Sequence, residues 1–267
     1  MEPMLNMALR AARKAGELIE RAYERPDTLK IENKSPNDFV TEVDRGAERA
    51  IIQVLRKAYP DHGFRGEEGG TIEGKNSDYV WVIDPLDGTT NFVHGMPHFS
   101  VSIACLYKGQ VEHAVVLDPV RREEFTASRG RGASLNGRRI RVSSRRGLEG
   151  ALLGTGIPFD GPAFAKIQPF LASVAELAGQ TAGIRRAGSA ALDLAYVAAG
   201  RYDAFWEMHL NEWDFAAGVL LVKEAGGLIS DFHGGSTFME TGHIVCGTPK
   251  VFKPVLQVIE KHLGHVK

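Results

Sequence analysis

Apolar residues fall at Leu5, Ala8, Ala12, Ala15, Leu18, Ile19 and Ala22, mostly three or four positions apart. That stripe predicts an amphipathic helix over residues 5–22, stopped by Pro26. Similar spacing through Ala47, Ala50, Ile51, Val54 and Leu55 predicts a second helix from about Val43 to Ala58, ended by Pro60. The period then changes. Tyr79–Ile83 and Ser100–Leu106 read as strands, Val111–Leu117 follows a Lys108-Gly109 turn, and Glu124–Ala127 and Arg139–Val142 extend an antiparallel meander. Asn136-Gly137, just before the last of these, is the strongest hairpin-turn signal in the chain. Beyond Arg146 the order is mixed: strand Ala151–Thr155, helix Ala163–Ala178, a strand near Ile184, helix Ala190–Ala199, strand Tyr202–Trp206, helix Asp214–Ala225, strand Leu228–Ser230 and a final helix from about Val251 to Leu263. Gly200 and Gly226-Gly227 stand where helix C-termini favour left-handed residues. These elements predict helices over a mainly antiparallel sheet, then a smaller mixed sheet, giving subdomains of about 1–146 and 147–267 joined without a flexible linker into one catalytic unit.

Charge alters this picture by what it excludes. Lys plus Arg number 32 against 33 Asp plus Glu, so no global field recruits nucleic acid or an anionic membrane, and any anion must be held by a local site. Cys105 and Cys246, each inside an apolar stretch, make no disulfide framework and point to a reducing compartment. The chain shows neither a secretory leader nor an apolar run of the roughly 18 residues that a membrane span needs, which makes a cytoplasmic location the expectation.

The candidate chemistry is acidic and sits at element ends. Trp81-Val82-Ile83-Asp84-Pro85-Leu86-Asp87-Gly88-Thr89-Thr90-Asn91-Phe92 ends a buried strand with two carboxylates three residues apart. Such a pair repels itself unless a cation lies between, and hard cations such as magnesium take carboxylate and carbonyl oxygens, here with the Leu86 carbonyl between the two. Gly88 lets the backbone approach a ligand, and the amides after it open toward an anion if a helix starts there. The same residues also suit an ordinary turn. Gly66-Glu67-Glu68-Gly69 and Trp213-Asp214 add carboxylates beside glycine or at a helix start, although Glu67 and Glu68 fit a solvated pair equally and Asp214 an N-cap. Thr41-Glu42-Val43-Asp44 matches a capping box, so Asp44 either caps the second helix or orients a water for attack on phosphorus.

With Asn37–Asp44, Gly66–Glu68, Trp81–Phe92, Gly188–Gly200 and Trp213–Gly218 taken together, the chain resembles the inositol monophosphatase family along nearly its full length. The resemblance implies a five-layer α-β-α-β-α sandwich, homodimeric, magnesium-dependent and lithium-sensitive, that hydrolyses a small polyol phosphate such as inositol 1-phosphate. It implies two to three Mg2+ ions. Glu67, Asp84 and the Leu86 carbonyl would hold one, Asp84, Asp87 and Asp214 a second, and a weaker third would lean on Glu67. Asp44 and Thr89, with Glu67, would be catalytic by activating water. Gly88 and Thr89 amides would take the phosphate, and Ser189, Ala190 and Glu207, with Asp87 and Asp214, would line the substrate. Family branches acting on nucleotide phosphates tend to read D-G-T-K-E where Thr90-Asn91 stands, which favours the inositol or sugar phosphate branch; fructose-1,6-bisphosphatase activity shares every ligand. The resemblance extends to a bacterial branch whose members also join the transcription antitermination machinery with Nus factors and RNA polymerase, for which Arg185-Arg186 and Arg138, Arg139, Arg141, Arg145 and Arg146 are candidate contacts. Two residues depart from the pattern. Asn211 stands where some members place histidine, and Arg65 occupies a slot before G-E-E that is commonly hydrophobic or neutral; extended backbone would send Arg65 to the same face as Glu67, and the alternative is solvent.

Overall fold

A computed structural model describes residues 2–25, 31–35, 38–158 and 164–266. Pro26 and Ala163, the expected stop of the first helix and start of the third, lie outside the described residues, as does Asn37. The N-terminal stripe forms α1 (Pro3–Tyr23), and a hairpin of β1 (Ile31–Ser35) and β2 (Asp38–Thr41) leads into α2 (Glu42–Ala58). Then come β3 (His62–Gly66), β4 (Gly70–Ile72), β5 (Asn76–Asp87), the short α3 (Thr89–Val93), β6 (Ser100–Tyr107), β7 (Gln110–Asp118), β8 (Glu123–Ser128), β9 (Gly132–Leu135) and β10 (Arg138–Arg139). The second half comprises β11 (Leu152–Thr155), α4 (Ile167–Ala178), β12 (Gly183–Arg185), α5 (Ala190–Ala198), β13 (Ala204–Glu207), α6 (Glu212–Glu224), β14 (Leu228–Ser230), α7 (Phe238–Thr241), β15 (Ile244–Gly247) and α8 (Pro249–Leu263).

Strands β10-β9-β8-β7-β6-β5-β3-β4 form one sheet, antiparallel except where β3 runs parallel to β5. Strands β12-β11-β13-β15-β14 form the second, in which β11 is parallel to both neighbours. Alternation along each strand feeds two cores, because successive side chains leave opposite faces. Trp81, Ile83, Val101, Ile103 and Cys105 pack outward under α1 and α2, whereas Val82, Ala104 and Leu106 pack inward with α5 and α6. In the second sheet Phe205, Ile244 and Cys246 join that same inner core, while Leu153, Trp206 and Val245 pack with α4 and α8. Helices α5 and α6 are apolar nearly all round because they lie between two sheets. The result is the expected α-β-α-β-α sandwich.

Two expectations need correction. The strand placed at Arg139–Val142 is cut to Arg138–Arg139: Val142 leaves the sheet and donates its amide to the Ala225 carbonyl at 3.1 Å, at the end of α6. Its alternation reports half-burial against the inner core. Asp214 is not an N-cap; Asn211 is, and Asp214 is the third helical residue. The turn signals behave as read. Asn136 and Gly137 take φ of 49° and 75°, and Gly200 and Gly226 follow helix ends at φ 71° and 89°. Both cysteines are buried free thiols.

Candidate active site

Asp84 and Asp87 would point to opposite faces of a regular strand, since three is an odd step. A bulge prevents this. Asp84 pairs with Ser102 and Asp87 with Ser100, so two residues of β5, Pro85 and Leu86, oppose one of β6, Val101, and both carboxylates turn to one side. Pro85 sits in the bulge, where its missing N–H costs no ladder bond. Gly88 then takes φ 97°, and a Cβ there would stand 3.1 Å from the Gly188 and His98 carbonyls, so glycine alone fits this turn.

The pocket beyond the bulge, of about 220 Å3, is lined by Glu67, Asp84, Leu86, Asp87, Gly88, Thr89 and Thr90 from the first half and by Thr155, Gly156, Arg186, Gly188, Ser189, Ala190, Asp193, Glu207, Leu210 and Asp214 from the second. Every residue expected to bind metal or substrate is therefore on one wall or another. Asp44 reaches this wall through Thr89, whose hydroxyl donates to Asp44 Oδ1 at 3.1 Å and lies 3.0 Å from the Leu86 carbonyl. The other Asp44 oxygen accepts from the Thr41 amide at 2.8 Å and the Thr41 hydroxyl, completing the capping box. The two readings of Asp44 are thus compatible, one oxygen serving each.

Each of three cluster carboxylates has an oxygen engaged by its own framework. Asp84 Oδ1 accepts from the Leu86 amide at 2.9 Å, and Asp214 Oδ2 accepts from the Asn211 amide at 2.7 Å. Asp87 Oδ2 accepts from the Ser189 hydroxyl at 2.6 Å and the Ala191 amide at 2.8 Å, which ties β5 to the start of α5. Asn91 reinforces that tie, its amide donating to the His98 carbonyl at 2.7 Å and the Ala187 carbonyl at 2.8 Å. Among the described residues no three His, Cys, Asp or Glu side chains are drawn together closely enough to hold an ion unaided. Burial, then the charges of Glu67, Asp87 and Asp214, push Asp84 well above the usual carboxylate range. Asp214 is pushed the same way by burial and Asp87, and Asp87 rises to about 6. A buried cluster of hard oxygen donors that resists ionising together is the donor set a divalent cation suits, so these residues fit magnesium.

Glu207, at the end of β13, is raised by burial to about 8. A carboxyl raised on folding contributes stability that is full below its unfolded pKa and is lost as pH rises through the folded value. With Asp87 raised to about 6 and Glu207 to about 8, the metal-free protein is expected to lose melting temperature as pH climbs from the ordinary carboxylate range, about 4, to about 8. Glu207→Gln should flatten the upper part of the curve, by roughly 1–3 kcal/mol at the alkaline end. Thermal melts in chelator across the window check this.

Sequence reasoning missed Glu48 and Asp193, and read Asn91 only as a mark of the substrate branch. Glu48 is 3% exposed, one turn along α2 from Asp44, and accepts from the Glu68 amide at 3.0 Å, fixing the loop that carries Glu67. A Cβ on Gly66 would fall 2.2 Å from that carboxylate. The spacing of Asp44 and Glu48 on one helical face was the available signal. Arg65 does reach a carboxylate, but of Glu212 at 2.5 Å rather than of Glu67 or Glu68. The pairing straps β3 to the start of α6.

The inositol monophosphatase family model matches residues 1–263. A protein of Pseudomonas aeruginosa named Nus factor SuhB is 66% identical over 265 residues, 98% of each chain. The crystal structure of the extragenic suppressor protein suhB from Bartonella henselae superposes with a TM-score of 0.95 at 42% identity, over 98% of this chain and 100% of that one. An IMPase from Thermotoga maritima gives 0.88 at 36%, over 98% and 99%.

Proposed function

The chain belongs to the inositol monophosphatase family and is a phosphatase, and we propose that it hydrolyses a small polyol phosphate monoester, inositol 1-phosphate first, using magnesium. One observation carries this reading: the carboxylates of β5 and α6, the Gly88 turn, and Glu207 all line one pocket whose walls come from both halves of the chain. The two subdomains then act as one catalytic unit, and the family likeness favours a cytoplasmic homodimer. Glu67, Asp84, the Leu86 carbonyl, Asp87 and Asp214 would hold two to three ions. Magnesium bound there supplies charge neutralisation at phosphoryl oxygens and a nucleophile from water at neutral pH.

The remaining steps belong to the chain's own residues. Thr89 Oγ1, already bonded to Asp44 Oδ1, accepts a hydrogen bond from the attacking water and passes the proton along to Asp44, whose burial raises its affinity for it. The Gly88 and Thr89 amides take phosphate oxygens, and the fixed bulge holds phosphorus in line with the water. The Ser189 hydroxyl and the Ala191 amide position Asp87, and Ser189, Ala190 and Glu207 face the substrate hydroxyls. A phosphate-release panel with magnesium tests the reading, comparing inositol 1-phosphate, glycerol 2-phosphate, fructose 1,6-bisphosphate and 3′-phosphoadenosine 5′-phosphate. Preference for the nucleotide would sink it, and preference for the bisphosphate would move the substrate class.

Arg65 is expected to leave magnesium affinity alone, because its guanidinium is paired with Glu212 and is 41% exposed. Arg65→Ile should keep half-activation within about twofold of the parent and cost no more than about 1 kcal/mol of stability. A magnesium titration at fixed substrate and ionic strength, beside a melt, checks both.

The Pseudomonas aeruginosa relative's name, Nus factor, favours a second role in contact with the transcription machinery, Nus factors and RNA polymerase included. Such a role needs a surface, and Arg185-Arg186 with the exposed arginines of residues 138–146 offers one. An Asp84 variant that still supports the cellular phenotype would separate this role from catalysis.

A further inference from the structure

We propose that Asp193 is a second substrate-reading carboxyl group, working with Glu207 on hydroxyls remote from the phosphate. This rests on the polyol reading above. Asp193 lies in the first turns of α5, just beyond the Ser189–Ala191 segment that grips Asp87. It is 1% exposed yet lines the pocket together with Glu207 and Arg186. Its Oδ1 is buried and has no hydrogen-bond partner within the protein.

An orphaned buried carboxyl oxygen costs stability, and every other position of α5 is apolar. Leucine or alanine would pack there without that cost, so the helix gains nothing from this carboxyl. The phosphate end does not use it either: Asp87 takes its hydrogen bonds from Ser189 and Ala191. A ligand that enters the pocket can supply the missing partner. Burial, with Glu207 and Asp87 nearby, holds Asp193 well above the usual carboxylate range, against the weaker pull of Arg186. A neutral carboxyl offers one donor and an acceptor, which matches a hydroxyl that both gives and takes a hydrogen bond. Two such groups at one end of the pocket select a polyhydroxylated leaving group over an aryl one, because a buried polar group left unpaired penalises the wrong ligand.

The test compares Asp193→Ala, Asp193→Asn, Asp193→Leu and the parent on inositol 1-phosphate and 4-nitrophenyl phosphate with saturating magnesium. Asp193→Ala should raise KM for inositol 1-phosphate about tenfold more than for the aryl phosphate, the loss of one hydrogen bond. Asp193→Asn keeps a donor and an acceptor and should recover most of that difference, whereas Asp193→Leu, which fills the space without a hydrogen bond, should not. Melting temperatures of the variants and the parent show that all are folded. Equal changes on both substrates, or no change on either, overturn the proposal while leaving the polyol reading standing. A parent that hydrolyses the aryl phosphate but not inositol 1-phosphate overturns both.

Discussion

Asp84→Asn is expected to lose turnover by at least about 10³-fold while keeping its fold, well beyond the roughly 10–100-fold typical of losing a group that only orients a metal ligand. The side chain is 2% exposed, at the bulge of β5, where it stands among the charges of Glu67, Asp87 and Asp214. In the proposed site it is the carboxylate shared by the first two ions. An amide keeps the size and one acceptor oxygen, so the bond from the Leu86 amide can persist. What it removes is the charge, and with it much of the mutual repulsion of the cluster. Asp84→Asn should therefore melt no lower than the parent in chelator, and should gain less from added magnesium. Circular dichroism, melts with and without magnesium, and turnover at saturating metal decide the matter. Near-parental turnover in a folded variant would remove Asp84 from the mechanism.

For Asp44→Asn the expected loss is roughly 10²–10⁴-fold in turnover, the range for removing a positioned acid–base group. The accompanying stability change is small, about 0.5–2 kcal/mol, as for a weakened helix cap. Both follow from one geometry. Oδ2 serves the Thr41 amide and hydroxyl, and Oδ1 serves the Thr89 hydroxyl. An amide cannot accept at both positions, so either the cap or the Thr89 bond is lost. Neutralising a buried carboxyl returns part of the stability, which puts the expected loss toward the lower end. Melting temperature and kcat measured on one sample separate the effects. Retained kcat beside a lowered melting temperature would leave Asp44 a helix cap and nothing more.

Helix and strand positions were legible in the sequence because burial on one face imposes a period, and α1, α2 and the strands of residues 79–128 follow it closely. Short pieces were legible only in part: β11 to β14 were expected from apolar runs between helices, whereas β3, β4, β9 and β15, of three to five residues each, were not, and β3 carries the chain into Glu67. Helix α3 was anticipated only conditionally, as a helix start after Gly88, since five residues after a left-handed glycine hold no amphipathic face. The carboxylates themselves were visible as local clusters beside glycine, proline and helix starts, for these residue types have local backbone reasons to be where they are.

By itself the sequence determined which segments bury a face, where the chain turns, and which acidic residues sit at element ends, all of which depend on neighbours within a few positions. Tertiary structure alone decided which of those ends meet. The bulge that turns Asp84 and Asp87 to one side exists only in the pairing of β5 with β6. The Ser189–Asp87 bond joins residues 102 apart, and Arg65 chose Glu212, 147 residues away, over the nearer Glu67. Asp193 stands in an apolar helix, and only the packed structure places it on the pocket wall. Periodicity records that a side chain is buried but not against what, and chemistry depends on the second of these.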